Sequence, residues 1–325
     1  MSQGRDGIKK GAGSTASDPK ISVVINTYNQ RQFICKAIDS VLAQTLKPWE
    51  IIVVDDGSKD GSEELVRREV GEQVRYRYQA NRGISNSRNT GIQMCTGDWI
   101  AFLDSDDYWM PEKLKLQAEA IHSNPNVTMV VCHGVECSPD GVVLDELRLP
   151  QPLTREVVRL RLLCRCTFTT SSVLIRRDAL IQAGGFPEDL MFGEDWVAFA
   201  HVAAAGEVVA VHQSLFHKTQ LREGLSSQPE LAFRDGLVAL RRCKWILASR
   251  TWPQSWRDRV TSRQAEVQMS LHAAWLYGGR QDKSKAIATL LNGIVRWPFL
   301  TLRQYRSMYW LCAQLLRRNA VRVRD

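Results

Sequence analysis

Residues 99–107 read Trp-Ile-Ala-Phe-Leu-Asp-Ser-Asp-Asp, five apolar positions running straight into three aspartates. An unbroken apolar run as short as WIAFL is that of a strand covered on both faces. The same design occurs twice upstream. ISVVIN (21–26) leads into Thr27-Tyr28-Asn29, and IIVV (51–54) ends in Asp55-Asp56-Gly57-Ser58, a turn sequence. Between these strands the periodicity becomes helical. Asn29 is placed to cap a helix whose apolar pairs Phe33-Ile34, Ala37-Ile38 and Val41-Leu42 recur every four residues. Pro48 closes that unit. A polar helix is expected over 60–69, a strand over 74–78, a helix from Ile84 to Cys95, and a further helix opened by Pro111. Strand–helix–strand at this rhythm means parallel strands joined by crossover helices. Ligands bind such sheets beyond the carboxyl ends of the strands, where both acidic clusters fall.

Farther along, Val127–Cys132 and SSVLI (171–175) read as strands and Gly184-Gly185 as a sharp turn. A helix is expected over Glu194–Ala205, with strands at 207–211 and 214–217. Polar residues 222–230 lead to long helical patterns over 231–325, broken at Trp252-Pro253 and Trp297-Pro298. The expected division is a leader over 1–20, an α/β domain over 21–228 and a basic helical region over 229–325.

Composition narrows the function classes. Of 325 residues, 44% are hydrophobic and only 11 are proline, which excludes a wholly disordered chain. No apolar run approaches the roughly 18 residues of a membrane span, and the polar start lacks a signal-peptide core. A cytoplasmic protein is therefore expected. Eight cysteines without a C-x-x-C pair fit reduced thiols. Residues 1–230 carry 25 Lys+Arg against 30 Asp+Glu, whereas residues 231–325 carry 18 against 5. A basic tail on an acidic body points to an anionic partner at the tail.

Each cluster admits a chemical and a structural reading. Asp104, Asp106 and Asp107 repel one another unless a cation or donors compensate, and a hard divalent ion completed by phosphate oxygens does so. A capping loop before Pro111 is the structural reading. Asp55 and Asp56 offer acceptors to a nucleobase or ribose, or form an Asx-turn. Glu194-Asp195 suits a helix first turn, whose dipole also keeps a general base ionised. Arg82 and Arg88 flank a helix start where phosphates bind, or simply face solvent.

Together these segments resemble the family 2 glycosyltransferases, of the GT-A nucleotide-sugar fold, over about residues 21–227. The resemblance rests on Thr27-Tyr28-Asn29, Val54-Asp55-Asp56-Gly57-Ser58, Asn81-Arg82-Gly83 with Ser87-Arg88-Asn89, Gly97-Asp98, Phe102 through Asp107, Gly184-Gly185-Phe186 and Glu194-Asp195-Trp196. It implies a Rossmann-like, mostly parallel sheet flanked by helices. It also implies inverting transfer from a nucleoside-diphosphate sugar, a UDP-sugar foremost, to a saccharide or lipid-linked acceptor. Thr27, Tyr28, Asp55, Asp56, Arg82, Arg88, Asp104 and Ser105 would bind the donor. Asp106 and Asp104, with His217, would hold Mn2+ or Mg2+. Asp195 would be the general base, and Gly185, Phe186, Glu194 and Trp196 would shape the acceptor side. A non-catalytic nucleotide-sugar-binding module on the same fold is the rival, and the complete set of Asp104, Asp106 and Asp195 speaks against it.

Two departures stand out. Asn26 occupies a position where the family commonly has proline, and Phe216-His217-Lys218 replaces its usual Arg and His after the last strand. The tail lies outside the resemblance. Over 301–318, Leu302, Tyr305, Met308-Tyr309, Cys312 and Leu315-Leu316 form one stripe beside Arg303, Arg306 and Arg317. That pattern suits helices packed on the catalytic domain, a homodimer contact, or peripheral contact with an anionic membrane. No motif supports nucleic-acid binding.

Overall fold

The computed structural model describes residues 18–122, 124–221, 228–249 and 282–296, together with Glu266, Ser270 and Ala274. The strands are β1 (Ile21–Thr27), β2 (Glu50–Asp55), β3 (Arg75–Tyr78), β4 (Trp99–Asp104), β5 (Tyr108–Trp109), β6 (Val127–Cys137), β7 (Val143–Leu147), β8 (Leu174–Arg176) and β9 (Glu207–Thr219). The helices are α1 (Arg31–Leu42), α2 (Ser62–Glu69), α3 (Ile84–Met94), α4 (Lys113–His122), α5 (Arg155–Leu162), α6 (Arg177–Gln182), α7 (Glu194–Ala205), α8 (Pro229–Ser249) and α9 (Lys283–Arg296).

One sheet runs β3-β2-β1-β4-β8-β6-β9-β5, with β7 pairing β6 outside that order. The first four strands are parallel, β8 opposes β4 and β6, and β6 runs parallel to β9. The expected α/β sheet flanked by helices forms, and it is mixed, with antiparallel pairings at β5, β7 and β8. Apolar side chains alternate between two cores. Val24, Val54 and Phe102 pack with α7 and α8 on one face, and Val23, Ile25, Val53 and Leu103 pack with α1 on the other. With a side-chain period of two, Asn26 and Asp104 continue the first face while Thr27 and Asp55 continue the second.

Several local expectations change. Gln30, not Asn29, precedes the first turn of α1. Asn29 sits at φ 52° and accepts a 2.9 Å bond from the Lys59 amide, tying the β1 and β2 loops together. Ser171 and Ser172 lie in a short 3₁₀ turn rather than a strand. The two strands expected over 207–217 are one strand with an irregular register. Beyond residue 228, Ala239, Leu240, Cys243, Ile246 and Leu247 of α8 lie in the same buried cluster as α7. The leader up to residue 17, both Trp-Pro breaks and the 301–318 stripe lie outside the described residues.

Candidate active site

The acidic turns converge because β1 lies between β2 and β4. In-register pairing sets Asn26 beside Asp104, and Thr27 beside Asp55. The Asp56 amide then bonds the Thr27 carbonyl at 3.0 Å, and the Ser105 amide bonds the Asn26 carbonyl at 3.2 Å. Both turns are thus pinned to the end of one strand.

Arg88, on α3, joins the donor and acceptor candidates. Its Nη2 donates to Asp104 at 2.9 Å and its Nη1 donates to Glu194 at 2.7 Å. The guanidinium is buried, 5.2 Å from the Phe186 ring centroid, and its Nε has no partner in the structure. Arg88 is therefore committed to two carboxylates. Asp195, next to Glu194, feels the charges of both Arg88 and Asp104 and accepts a hydrogen bond from the Trp196 amide. Asp104, Arg88, Glu194 and Asp195 thus form one cluster of interacting charges.

Burial dominates the electrostatics. It pushes Asp106 up to about 6, helped by the charge of Asp104. Asp107 is raised further by burial and by Asp106, although Ser171 Oγ at 2.5 Å and the Thr219 amide at 2.9 Å donate to it. Glu194 rises to about 7 through burial and Asp195, with Arg88 opposing. Burial also raises Asp195, again against Arg88. A cleft that retains carboxylates at this desolvation cost is a functional-site candidate on physical grounds.

The remaining expected residues fall into distinct places. Asp55 accepts from the Ser58 amide at 2.8 Å and from Tyr76 Oη at 2.5 Å. Asp56 accepts from Gln79 Nε2 and from the amides of Arg82 and Gly83, so it caps the loop before α3. Thr27 is buried with an unpartnered Oγ1, Ser105 is buried, and Tyr28 and Arg82 are exposed at the rim. Gly185 adopts φ +72°, and Asn89 clasps Phe186 through both its amide and its carbonyl.

Three assignments need correction. Phe186 and Trp196 do not line an acceptor surface. Both are buried, Phe186 packing edge-on against Phe102 and Trp196 Nε1 bonding the Leu162 carbonyl at 2.7 Å. Both rings belong to the core cluster that includes Phe102 and Phe199. His217 does not join Asp104 and Asp106. Its Nδ1 meets Tyr108 Oη at 2.9 Å and Cys137 Sγ at 3.3 Å. Alternation along β9 instead turns Lys218 toward the acidic turn, where it pairs with Glu136 at 2.9 Å and feels Asp107 and Asp104. Among the described residues no group of three or more His, Cys, Asp or Glu is arranged to hold a metal. Sequence reading missed Ser171, which accepts from the Asp104 amide and donates to Asp107, and Thr219, which fixes Asp107 from β9. A hydroxyl in a short turn and a backbone amide at a strand end leave no pattern by which to find them.

Known proteins supply the remaining context. The family model "Glycosyl transferase family 2" matches residues 22–183. An uncharacterized glycosyltransferase of Nostoc sp. is 33% identical over 184 residues, 54% of this chain and 56% of that protein. The succinoglycan biosynthesis protein ExoO of Rhizobium meliloti is 32% identical over 240 residues, 68% of this chain and 66% of that protein. The match therefore spans between about half and two thirds of these relatives. Among solved structures, S. aureus TarS 1-349 in complex with UDP-GlcNAc superposes with a TM-score of 0.60 at 18% identity, covering 91% of this chain and 88% of that one. Mannosyltransferase PcManGT from Pyrobaculum calidifontis, in complex with GDP-Man and Mn2+, gives 0.56 at 19%, covering 94% and 88%. At such identity the likeness speaks for the fold alone. With the family model lying across β1 to α6 and the acidic turns at its strand ends, the chain belongs to glycosyl transferase family 2 and has its GT-A fold.

Proposed function

We propose that this chain is a metal-dependent, inverting glycosyltransferase that moves a sugar from a nucleoside diphosphate to an acceptor hydroxyl. The observation that supports this reading is the Arg88 bridge, which ties Asp104 to Glu194, the chain neighbour of Asp195. The donor we infer is a UDP-sugar, and the neighbours' complexes with UDP-GlcNAc and GDP-Man support the class. Cell-surface polysaccharide, lipopolysaccharide or glycolipid synthesis on the cytoplasmic side is the expected setting, consistent with similarity to the succinoglycan biosynthesis protein ExoO. Peripheral membrane contact or dimerisation through the basic helices belongs to the same reading. No helix among the described residues is long and apolar enough to cross a membrane.

The residues present fit a hard divalent cation. Asp104 and Asp106 are oxygen donors close enough that the charge of one makes the other harder to ionise, and both are only partly covered. Mn2+ or Mg2+ would be held by these two, with phosphate oxygens of the donor completing the shell. When bound it would neutralise charge on the departing diphosphate. The chain does the rest. Thr27 and Asp55 lie below the nucleoside, with Tyr28 and Arg82 at its edge. Asp195 takes the proton from the acceptor hydroxyl as its oxygen bonds the anomeric carbon. The bond from that carbon to the diphosphate oxygen breaks on the opposite face, which inverts the configuration.

Thermal-shift screening of UDP, GDP and their sugars, with and without Mn2+, tests the donor side. Asp106→Asn should abolish the Mn2+-dependent part of the stabilisation. Asp195→Asn should bind nucleotide diphosphate normally and lose about 10²–10⁴-fold in turnover. Undiminished transfer by Asp195→Asn would remove it from the base role.

A further inference from the structure

On the opposite flank of the sheet, β6 and β9 bring two imidazoles together. Cys132 lies opposite Val211 but His133 lies opposite Ser214, so β9 carries two extra residues, His212 and Gln213, at this point. A bulge of this kind re-aims side chains. His212 Nδ1 stands 3.1 Å from His133 Nε2, with the rings edge to face and their centroids 5.1 Å apart. His212 is exposed and His133 partly so. On the other side of β6, β7 sets Glu146 opposite Val135. Glu146 is thereby a diagonal neighbour of His133 on the same face.

Two nitrogen ligands on one Zn2+-sized ion stand about 2.8–3.4 Å apart, given Zn–N distances of roughly 2.0–2.1 Å and angles between cis-octahedral and tetrahedral. The observed separation lies within that range. We propose that His133 and His212 form a two-imidazole site for a borderline divalent metal, Zn2+, Ni2+ or Cu2+, separate from the acidic turn and selective against Mg2+. Imidazole suits these ions, whereas carboxylate and phosphate oxygens suit Mg2+ and Mn2+. No third protein ligand of the His, Cys, Asp or Glu type closes the set among the described residues, so water fills the remaining positions and the site is open and exchangeable. The groups facing His133 are His212 on β9 and Glu146 and Arg148 on β7. Partial burial, then the neighbouring His212, lowers the affinity of His133 for a proton, which favours the neutral ring a metal needs. A bound ion would staple β6 to the strand whose last residue, Thr219, fixes Asp107.

The alternative is a plain N–H···N bond between neutral imidazoles, and titration of the full chain separates the two. Calorimetry with Ni2+ or Zn2+, in excess Mg2+ to occupy the acidic turn, should give one saturable ion per chain, released on acidification because protonated imidazole cannot ligate a metal. His133→Gln and His212→Gln should each weaken binding at least tenfold, and the Ni2+-induced rise in Tm should vanish in the double variant. Cu2+ bound to the wild type should show hyperfine splitting from two nitrogens in its electron paramagnetic resonance spectrum. Absence of saturable binding, or binding unchanged in both variants, overturns the proposal. Because Mn2+ and nucleotide stabilisation are read at the acidic turn, failure here leaves the transferase reading intact.

Discussion

Replacing Arg88 by glutamine should destabilise the fold by about 3 kcal/mol and do so through Glu194. The guanidinium is 4% exposed and makes two charge-assisted bonds, at 2.7 Å to Glu194 and 2.9 Å to Asp104. Removing one partner of a buried pair costs about 3–5 kcal/mol, because the other charge is left uncompensated. The Asp104 share is smaller, since its side chain is 31% exposed and water takes over part of the role. Glu194 has no such relief, being 9% exposed at its side chain. Its carboxyl already sits at about 7 with Arg88 beside it. Without that charge it rises further and takes up a proton at neutral pH, which caps the loss near the lower end of the range. Removing the second charge should therefore recover stability. Arg88→Gln with Glu194→Gln should cost about 2 kcal/mol less than the sum of the singles. Equilibrium urea unfolding at pH 7.5 measures all four proteins. Strict additivity, or an Arg88→Gln loss below about 1 kcal/mol, would refute the claim that this bridge organises the cleft.

Two further outcomes follow from buried oddities. Lys113 is wholly buried, bonded to Gln117 Oε1 at 2.8 Å and resting 4.0 Å from the Trp109 ring centroid; burial pushes it down to about 8. Between that value and the unfolded 10.5, the unfolded chain holds a proton that the folded one has shed, so stability rises with pH across this window. The fall of about 2.5 units amounts to roughly 3 kcal/mol. Lys113→Met should remove that pH dependence in urea unfolding at pH 7.5, 9 and 10, and parallel profiles for the two proteins would dismiss it. Gly185→Ala should be worse than Gly184→Ala by at least about 1 kcal/mol. Both glycines have positive φ, but a methyl at Gly185 would stand 2.5 Å from Asn89 Oδ1, which holds the Phe186 amide, whereas Gly184 faces open space. Equal losses in Tm would show that the Asn89 clasp is not under steric load.

The parallel half of the sheet was legible because burial on both faces leaves an unmistakable trace, as in ISVVIN, IIVV and WIAFL. The acidic turns were legible for a related reason, since each follows such a run without a break. What escaped were features set by tertiary contact. The β7 edge strand, mostly exposed, and the two-residue β5 carry too little apolar signal to register. Ser171 was read into a strand because SSVLI looks continuous, yet its hydroxyl is needed to hold Asp104 and Asp107. The resemblance implies an acceptor-side role for Phe186 and Trp196 because it carries whole motifs, Gly184-Gly185-Phe186 and Glu194-Asp195-Trp196, rather than single side chains. Local sequence says nothing about which way an aromatic ring points, and here both rings fill the core.

The layout also explains why Arg88 rather than a backbone turn sets the distance across the cleft. Asp104 ends a central strand, and Glu194 begins a helix on the face covered by α7 and α8, so no hydrogen-bonded ladder connects them. Asn26 and Asp104 share that face through the β1–β4 register, and Asn26 Nδ2 donates to Ser87 Oγ at 2.5 Å, fixing α3 one residue before Arg88. The arginine then spans from a clamped helix to two carboxylates that would otherwise repel. Asn26 at this position can make that clamp, whereas a proline has no side-chain donor. Asn26→Pro should therefore loosen α3 and, through Arg88, act on Glu194 as well as on Asp104 beside it.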